Sequence, residues 1–262
     1  MNRLKKRMSE KPTGLLNIYF TAGYPRLEDT GKIIKALDRM GVDLVEIGMP
    51  YSDPLADGPT IQESGAVALK NGMTLPLLFE QLTEVRPHTE MPMILMGYFN
   101  QVMQFGVERF LQNCQRSGID ALILPDLPLA VYESEYQQLF ADYGLESVFL
   151  ITPQTEESRI RKIDELSTGF IYVVSSYAIT GAKKGISPAQ IDYFERIAAL
   201  NLNNPRLIGF GISDRETFQT ACAHANGAII GSAFIRALAR HDSIEAAVDE
   251  FVGGLKASSI HV

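Results

Sequence analysis

A single-domain (β/α)8 barrel (TIM barrel) with a short N-terminal helix is the α/β fold this sequence predicts, on three observations. Eight short apolar runs punctuate its 262 residues. A segment with helical character follows each run, and a glycine stands between several of these helices and the next run. Eight strand–helix units need about 250 residues in such a barrel, so the whole chain, 1–262, reads as one domain with little left over.

The elements follow in order. Arg3, Lys5, Lys6, Arg7 and Lys11 open the chain as a basic, half-exposed helix. A secretory signal is not expected there, because the next apolar run is short, holds Asn17 and enters a glycine turn. The apolar runs at 15–20, 44–47, 93–96, 121–124, 147–150, 171–174, 207–210 and 228–230 are the predicted strands. They are nearly continuous rather than alternating, as in a parallel sheet covered on both faces. Within 30–40, Ile33, Ile34, Leu37 and Met40 form a helical stripe closed by Gly41. Within 107–117, Val107, Phe110, Leu111 and Cys114 do the same before Gly118. Tyr132, Tyr136, Leu139, Phe140 and Tyr143 make a third stripe, ended by Gly144. The spacing is that of one helix face, and each glycine suits the left-handed position past a helix end. A doubly wound open sheet is the competing architecture, and it does not need eight similar units.

Composition removes several classes of function. With 24 basic and 31 acidic residues the formal charge is −7, which disfavours nucleic acid or anionic lipid as a partner. No apolar run approaches a membrane span. The two cysteines, Cys114 and Cys222, provide neither a disulfide framework nor a thiolate zinc site, and they fit a cytoplasmic protein with reduced thiols. None of the four histidines falls at the C-terminal end of a strand, so a Ser-His-Asp triad and a histidine-bound metal are not expected.

A barrel builds its active site just after its strands. Glu46 lies inside an apolar strand, one residue from its end. In a partly apolar pocket its pKa would rise, as a general acid at neutral pH requires; pairing with a buried Arg or Lys is the other reading. Asp53 and Asp57 follow on a loop shaped by Pro50, Pro54, Gly58 and Pro59. One of them could supply a second acid–base group, or each could serve a turn or cap the helix beginning near Thr60. Ser52 has no nearby histidine to activate it.

Glycine-rich turns after strands 7 and 8, Gly209-Phe210-Gly211-Ile212-Ser213 and Gly231-Ser232-Ala233, would let backbone N–H groups and a helix N-terminus meet a phosphate. Thr180-Gly181 after strand 6 belongs with them. Neither a Walker loop nor a dinucleotide fingerprint is present. The loop 178–187, with Lys183 and Lys184 between Gly181 and Gly185, reads as a lid over an anionic substrate or as a solvated basic loop.

The run Glu46-Ile47-Gly48-Met49-Pro50-Tyr51-Ser52-Asp53-Pro54-Leu55-Ala56-Asp57-Gly58-Pro59-Thr60-Ile61-Gln62 closely resembles the signature of the tryptophan synthase alpha subunit family. Phe20-Thr21-Ala22-Gly23-Tyr24-Pro25, Pro125-Asp126-Leu127-Pro128, Thr180-Gly181 and the two phosphate turns extend the resemblance over all eight strands. It implies a lyase of tryptophan biosynthesis that splits indole-3-glycerol phosphate into indole and glyceraldehyde 3-phosphate by a retro-aldol reaction. It further implies no cofactor or metal in this chain, and a heterotetrameric alpha2beta2 complex with a beta subunit that carries pyridoxal phosphate. Carried over, Glu46 protonates the indole ring carbon and takes the glycerol hydroxyl proton, while Asp57 faces the indole N–H. Tyr19, Leu95 and Tyr172 would line the indole pocket. Thr180, Gly181, Phe210, Gly211, Gly231 and Ser232 would bind the substrate around its phosphate. Asp53, Asn100 and Asp126 would lie where the beta subunit docks. The chain departs from the family pattern at Gly97 and Gln101, where Thr and Pro are usual, and at Ser176-Tyr177-Ala178-Ile179, where Gly-Val usually precedes Thr-Gly. An isomerase or epimerase of another sugar phosphate, and a non-catalytic subunit that only activates its partner, are the alternatives.

Overall fold

The computed structural model describes residues 2–55, 57–175, 185–209 and 211–256. Eight parallel strands close into a barrel in chain order: β1 (Leu15–Thr21), β2 (Leu44–Gly48), β3 (Met93–Met96), β4 (Ala121–Ile123), β5 (Glu146–Ile151), β6 (Ile171–Val174), β7 (Arg206–Gly209) and β8 (Gly227–Ile230). The helix α1 (Arg3–Glu10) precedes them. Around the barrel come α2 (Asp29–Arg39), α3 (Pro59–Lys70), α4 (Leu75–Val85), α5 (Phe99–Phe105), α6 (Val107–Arg116), α7 (Leu129–Val131), α8 (Gln137–Asp142), α9 (Glu157–Leu166), α10 (Pro188–Ala199), α11 (Arg215–His224), α12 (Ser232–Leu238) and α13 (Ile244–Lys256). The predicted strands recur with ends shifted by a residue or so. Gly41, Gly118 and Gly144 all take the positive φ that their place after a helix demands.

Alternation along the strands separates two cores. Leu15, Leu44, Ile94, Ala121, Ile123, Val148, Tyr172, Leu207 and Ile229 point inward and fill the barrel. Leu16, Ile18, Phe20, Val45, Ile47, Leu95, Leu122, Val173 and Ile208 point outward into the larger core beneath the helices. The nearly continuous apolar runs result from burial on both faces.

Helix α1 seals the floor of the barrel. Leu4 and Met8 join the inward cluster. The basic side chains of the helix and of Lys11 just past it meet acids at the lower strand ends: Lys11 lies 2.6 Å and Arg7 3.4 Å from Asp43, Arg3 3.5 Å from Asp120, and Lys5 2.9 Å from Glu146. Asp43 also accepts the Leu16 N–H at 2.8 Å, and Asp120 the Met93 N–H at 3.0 Å. The basic N-terminal cluster is thus a clamp that closes the fold.

One expected helix departs from regularity. Between α7 and α8 the chain passes through a π turn, Tyr132–Tyr136. Such a turn accommodates an extra residue within a helix. Here it lets the Tyr132 hydroxyl reach Ser147 Oγ at 2.7 Å while Tyr136 packs edge-on against Phe99.

Candidate active site

Inward-facing residues at the upper ends of the strands build the mouth. Tyr19 and Glu46 are in register on β1 and β2, and Asn17 stands opposite Leu44, one pleat repeat nearer the floor. Glu46 is completely buried. Its Oε1 accepts a 2.6 Å hydrogen bond from Asn17 Nδ2, so the partner of the buried carboxyl is an amide and not a basic side chain. Burial pushes the Glu46 pKa up to about 8, only partly opposed by that hydrogen bond.

Asp57, on the loop after β2, has its pKa raised to about 6 by burial, with an opposing hydrogen bond from Tyr98. The Tyr98 hydroxyl donates to Asp57 Oδ2 at 3.1 Å. The helix that follows takes Gly58 as its N-cap without any side-chain cap bond, so Asp57 is not a helix cap. Gln62 Nε2 holds the loop from below, donating to the Asp57 carbonyl at 2.8 Å.

The two carboxyl groups meet around two phenols. Burial raises the Tyr19 pKa far above its usual range, and the charges of Asp57 and Glu46 add to it while a Thr21 hydrogen bond opposes. Burial does the same to Tyr172, with Glu46, Tyr19 and Asp57 adding. Glycine makes room for both rings. A Cβ on Gly48 would overlap the Tyr19 hydroxyl, and one on Gly209 the Tyr172 hydroxyl. Gly231 meets the flank of the Tyr19 ring, where a Cβ would stand 3.3 Å from Cδ1.

Leu95 does not join this group. Its side chain lies outward, fully buried in the core under the helices. The alternation that turns Ile94 and Met96 inward turns Leu95 away. Met96 takes the inward position instead, and the mouth is lined by Tyr19, Met49, Asp57, Met96, Gly97, Tyr98 and Pro125. Sequence reading missed Met49, Met96 and Tyr98. The parity of β3, set by its register with Glu46, is the signal that would have found the last two.

The two departures at 97 and 101 are one feature. A Cβ on Gly97 would come within 2.5 Å of Met49 Cε and 2.9 Å of Gln101 Oε1. Without one, Gln101 folds back, accepts the Tyr98 N–H at 3.1 Å and donates to the Pro50 carbonyl at 2.8 Å. The loops after β2 and β3 are thereby joined.

At the opposite rim, Gly211 has a φ of +77°, and Gly231 caps α12 with no side-chain cap bond. The first N–H groups of α12, beginning at Ser232, are therefore open to an anion. Helix α11 differs, because Asp214 and Thr217 close its N-terminus. Thr180, Gly181 and Phe210 lie outside the described residues, as does the lid apart from 185–187. Asp53 and Asp126 are exposed on the loops after β2 and β4, and Asn100 is half-buried in the first turn of α5. Asn100 Nδ2 donates to the Tyr51 hydroxyl at 2.6 Å, and Asp126 Oδ1 accepts the Phe99 N–H at 2.7 Å.

Among the described residues no group of His, Cys, Asp or Glu is arranged to hold a metal ion, and no helix is long and apolar enough to cross a membrane. His241 is half-buried, with Nε2 3.5 Å from Glu250.

A family model described as tryptophan synthase alpha chain matches residues 4–258. The tryptophan synthase alpha chain of Flavobacterium johnsoniae is 54% identical over 98% of this chain and 100% of its own length. That of Phocaeicola vulgatus is 51% identical over the same shares. Among solved structures, a Pyrococcus furiosus tryptophan synthase complex superposes with a TM-score of 0.85 at 34% identity, covering 93% of this chain and 98% of that one. Tryptophan synthase from M. tuberculosis in its aminoacrylate-bound form gives 0.85 at 26% identity, covering 97% and 98%.

Proposed function

The chain belongs to the tryptophan synthase alpha chain family and is a lyase that cleaves indole-3-glycerol phosphate; we propose that Glu46 and Asp57 carry this chemistry. The observation that supports their roles most is the unequal tuning of two carboxyls at one mouth, Glu46 buried and Asp57 half-buried. Glu46 holds its proton up to about pH 8, and Asp57 gives its proton up near 6. At neutral pH the pair is one acid and one carboxylate.

The reaction needs both. The Glu46 acid delivers its proton to the indole ring carbon that bears the glycerol chain, and the ring becomes an electron-poor iminium. The resulting carboxylate takes the proton from the adjacent glycerol hydroxyl. That oxygen forms a carbonyl as the carbon–carbon bond breaks, and the bonding pair returns to the ring as indole. Glyceraldehyde 3-phosphate leaves, and Glu46 again carries its proton. Throughout, the Asp57 carboxylate accepts from the indole N–H and stabilises the positive ring. Tyr19 and Tyr172 flank the substrate, and Met49 and Met96, with their flexible stems, adapt the floor of the slot to a flat ring.

For the phosphate, Gly211, Gly231 and Ser232 are the proposed holders together with Thr180, Gly181 and Phe210. The open α12 N-terminus supports this assignment. The residues 1–262 are proposed to act as one domain in the cytoplasm, where Cys114 and Cys222 stay free. The proposed partner is a tryptophan synthase beta subunit in an alpha2beta2 complex, docked over Asp53, Asn100 and Asp126. The chemistry described needs no cofactor in this chain, and pyridoxal phosphate is assigned to the partner.

Kinetics of Asp57→Asn on indole-3-glycerol phosphate test the assignment. With the charge gone but the shape kept, kcat should fall roughly 10²-fold with little change in KM. A loss confined to KM would make Asp57 a binding group only.

A further inference from the structure

Glu46 and Asn17 leave two buried atoms without partners among the described residues: Glu46 Oε2 and Asn17 Oδ1. Both are acceptors. They belong to the two groups already joined by the 2.6 Å bond between Asn17 Nδ2 and Glu46 Oε1. An ionised Glu46 would leave both atoms unsatisfied and set a carboxylate beside an amide carbonyl, an arrangement that a dry interior penalises. A proton on Oε2 reverses this. The acid O–H then donates to Oδ1 while the amide N–H donates to Oε1, and the pair closes into a ring of two hydrogen bonds with no acceptor left over.

We propose that Asn17 is a positioning residue that stores Glu46 as its protonated acid, in a cyclic amide–acid pair below the mouth of the barrel. This deepens the reading of Glu46 as the proton carrier and rests on it. Asn17 lies one pleat repeat below the level of Glu46 and Tyr19, so the pair draws the carboxyl toward the floor when no indole ring is present. Among the described residues, the strand neighbours of the pair on β3 and β8 are apolar. Next to Glu46, β3 presents Ile94, and next to Asn17, β8 presents Ile229. Below, α1 contributes Leu4 and Met8 while its charged residues stay at the rim with Asp43, Asp120 and Glu146. The titratable groups coupled to Glu46 are Tyr19 of β1 and Tyr172 of β6, whose phenols stay neutral, and Asp57 of the β2 loop acts on the same two rings. Substrate entering the mouth finds an acid already loaded, which swings up to the ring carbon by rotation of its own side chain.

Infrared difference spectroscopy on the substrate-free protein tests this apart from any activity. Subtracting Glu46→Gln from the native spectrum at neutral pH should reveal a carboxylic-acid carbonyl band at the low frequency of a strongly hydrogen-bonded acid. In Asn17→Leu the band should move to the higher frequency of a free acid. In native protein with 13C-labelled asparagine, one asparagine amide carbonyl should shift at the same pH midpoint at which the acid band disappears. That second measurement holds even where Asn17→Leu does not fold. An ionised Glu46 at neutral pH, a band unmoved in Asn17→Leu, or an asparagine carbonyl silent across the titration would each overturn the proposal. None of these depends on turnover of indole-3-glycerol phosphate, so a failed lyase assignment would show separately.

Discussion

The Tyr98 hydroxyl donates a 3.1 Å hydrogen bond to Asp57 Oδ2 and so ties the loop after β3 to the charge on the loop after β2. Burial raises the Asp57 pKa to about 6 and this bond holds it down. In the proposed reaction the free enzyme needs Asp57 ionised and Glu46 protonated. The profile of kcat/KM against pH should therefore be a bell, with an acid limb near 6 and an alkaline limb near 8. Tyr98→Phe removes the donor, so the acid limb should move upward and narrow the bell. An acid limb that stays in place or moves down would mean that Asp57 is not the group it reports.

Glu46 should make the native fold less stable in alkali. Its folded pKa of about 8 exceeds the ordinary 4.5, so the folded chain keeps a proton that the unfolded chain releases. Stability from this group is present below pH 4.5 and is lost as the pH rises through about 8. Glu46→Gln keeps the shape and cannot ionise. In urea titrations it should gain on the native chain by a few kcal/mol above pH 8, and by nothing below 4.5. An equal difference at both ends would show that ionisation of Glu46 is not involved.

Glycines at the mouth and in the helices should respond with opposite sign. A Cβ at Gly209 overlaps the Tyr172 hydroxyl, so the buried ring has to shift to admit it. Gly209→Ala should cost roughly 1–3 kcal/mol and raise KM. Gly65, inside α3, has nothing within 4 Å of a built Cβ. There alanine should stabilise by about 0.4–1 kcal/mol. Thermal unfolding of the two variants reads both signs, and a neutral Gly209→Ala would mean that Tyr172 moves freely.

The floor clamp should be strong at its buried acids and weak at its rim. Asp120 accepts the Met93 N–H at 3.0 Å and lies 3.5 Å from Arg3 and 3.7 Å from the mostly buried Arg86. Asp120→Ala strands these partners and should cost roughly 3–5 kcal/mol. Glu90, the exposed partner of Arg3, should matter by less than about 1 kcal/mol when replaced by alanine. Similar losses in the two variants would contradict the clamp.

Most of the barrel was legible because its signals are local. Leu44 to Ile47 and Ile171 to Val174 are runs that burial on both faces demands, and Gly41, Gly118 and Gly144 mark helix ends by conformation alone. Glu46 and Asp57 were legible because charge inside an apolar run or a proline-shaped loop is conspicuous. Leu95 was misplaced because an all-apolar strand gives no hint of which residues face inward. Only pairing with β2 fixes that Met96 faces the mouth and Leu95 does not. Asn17 was noted only as an interruption of an apolar run, since its meaning depends on a partner 29 positions away. The π turn at Tyr132–Tyr136 is set by contacts with Ser147 and Phe99, which no local spacing records.

Release of glyceraldehyde 3-phosphate from indole-3-glycerol phosphate by the purified chain, with and without a beta subunit, tests the central claim most directly. The native chain should cleave slowly alone and faster with the partner. Glu46→Gln should lose roughly 10²–10⁴-fold under both conditions, since one carboxyl carries both proton transfers. Turnover by Glu46→Gln at the native rate would contradict the account.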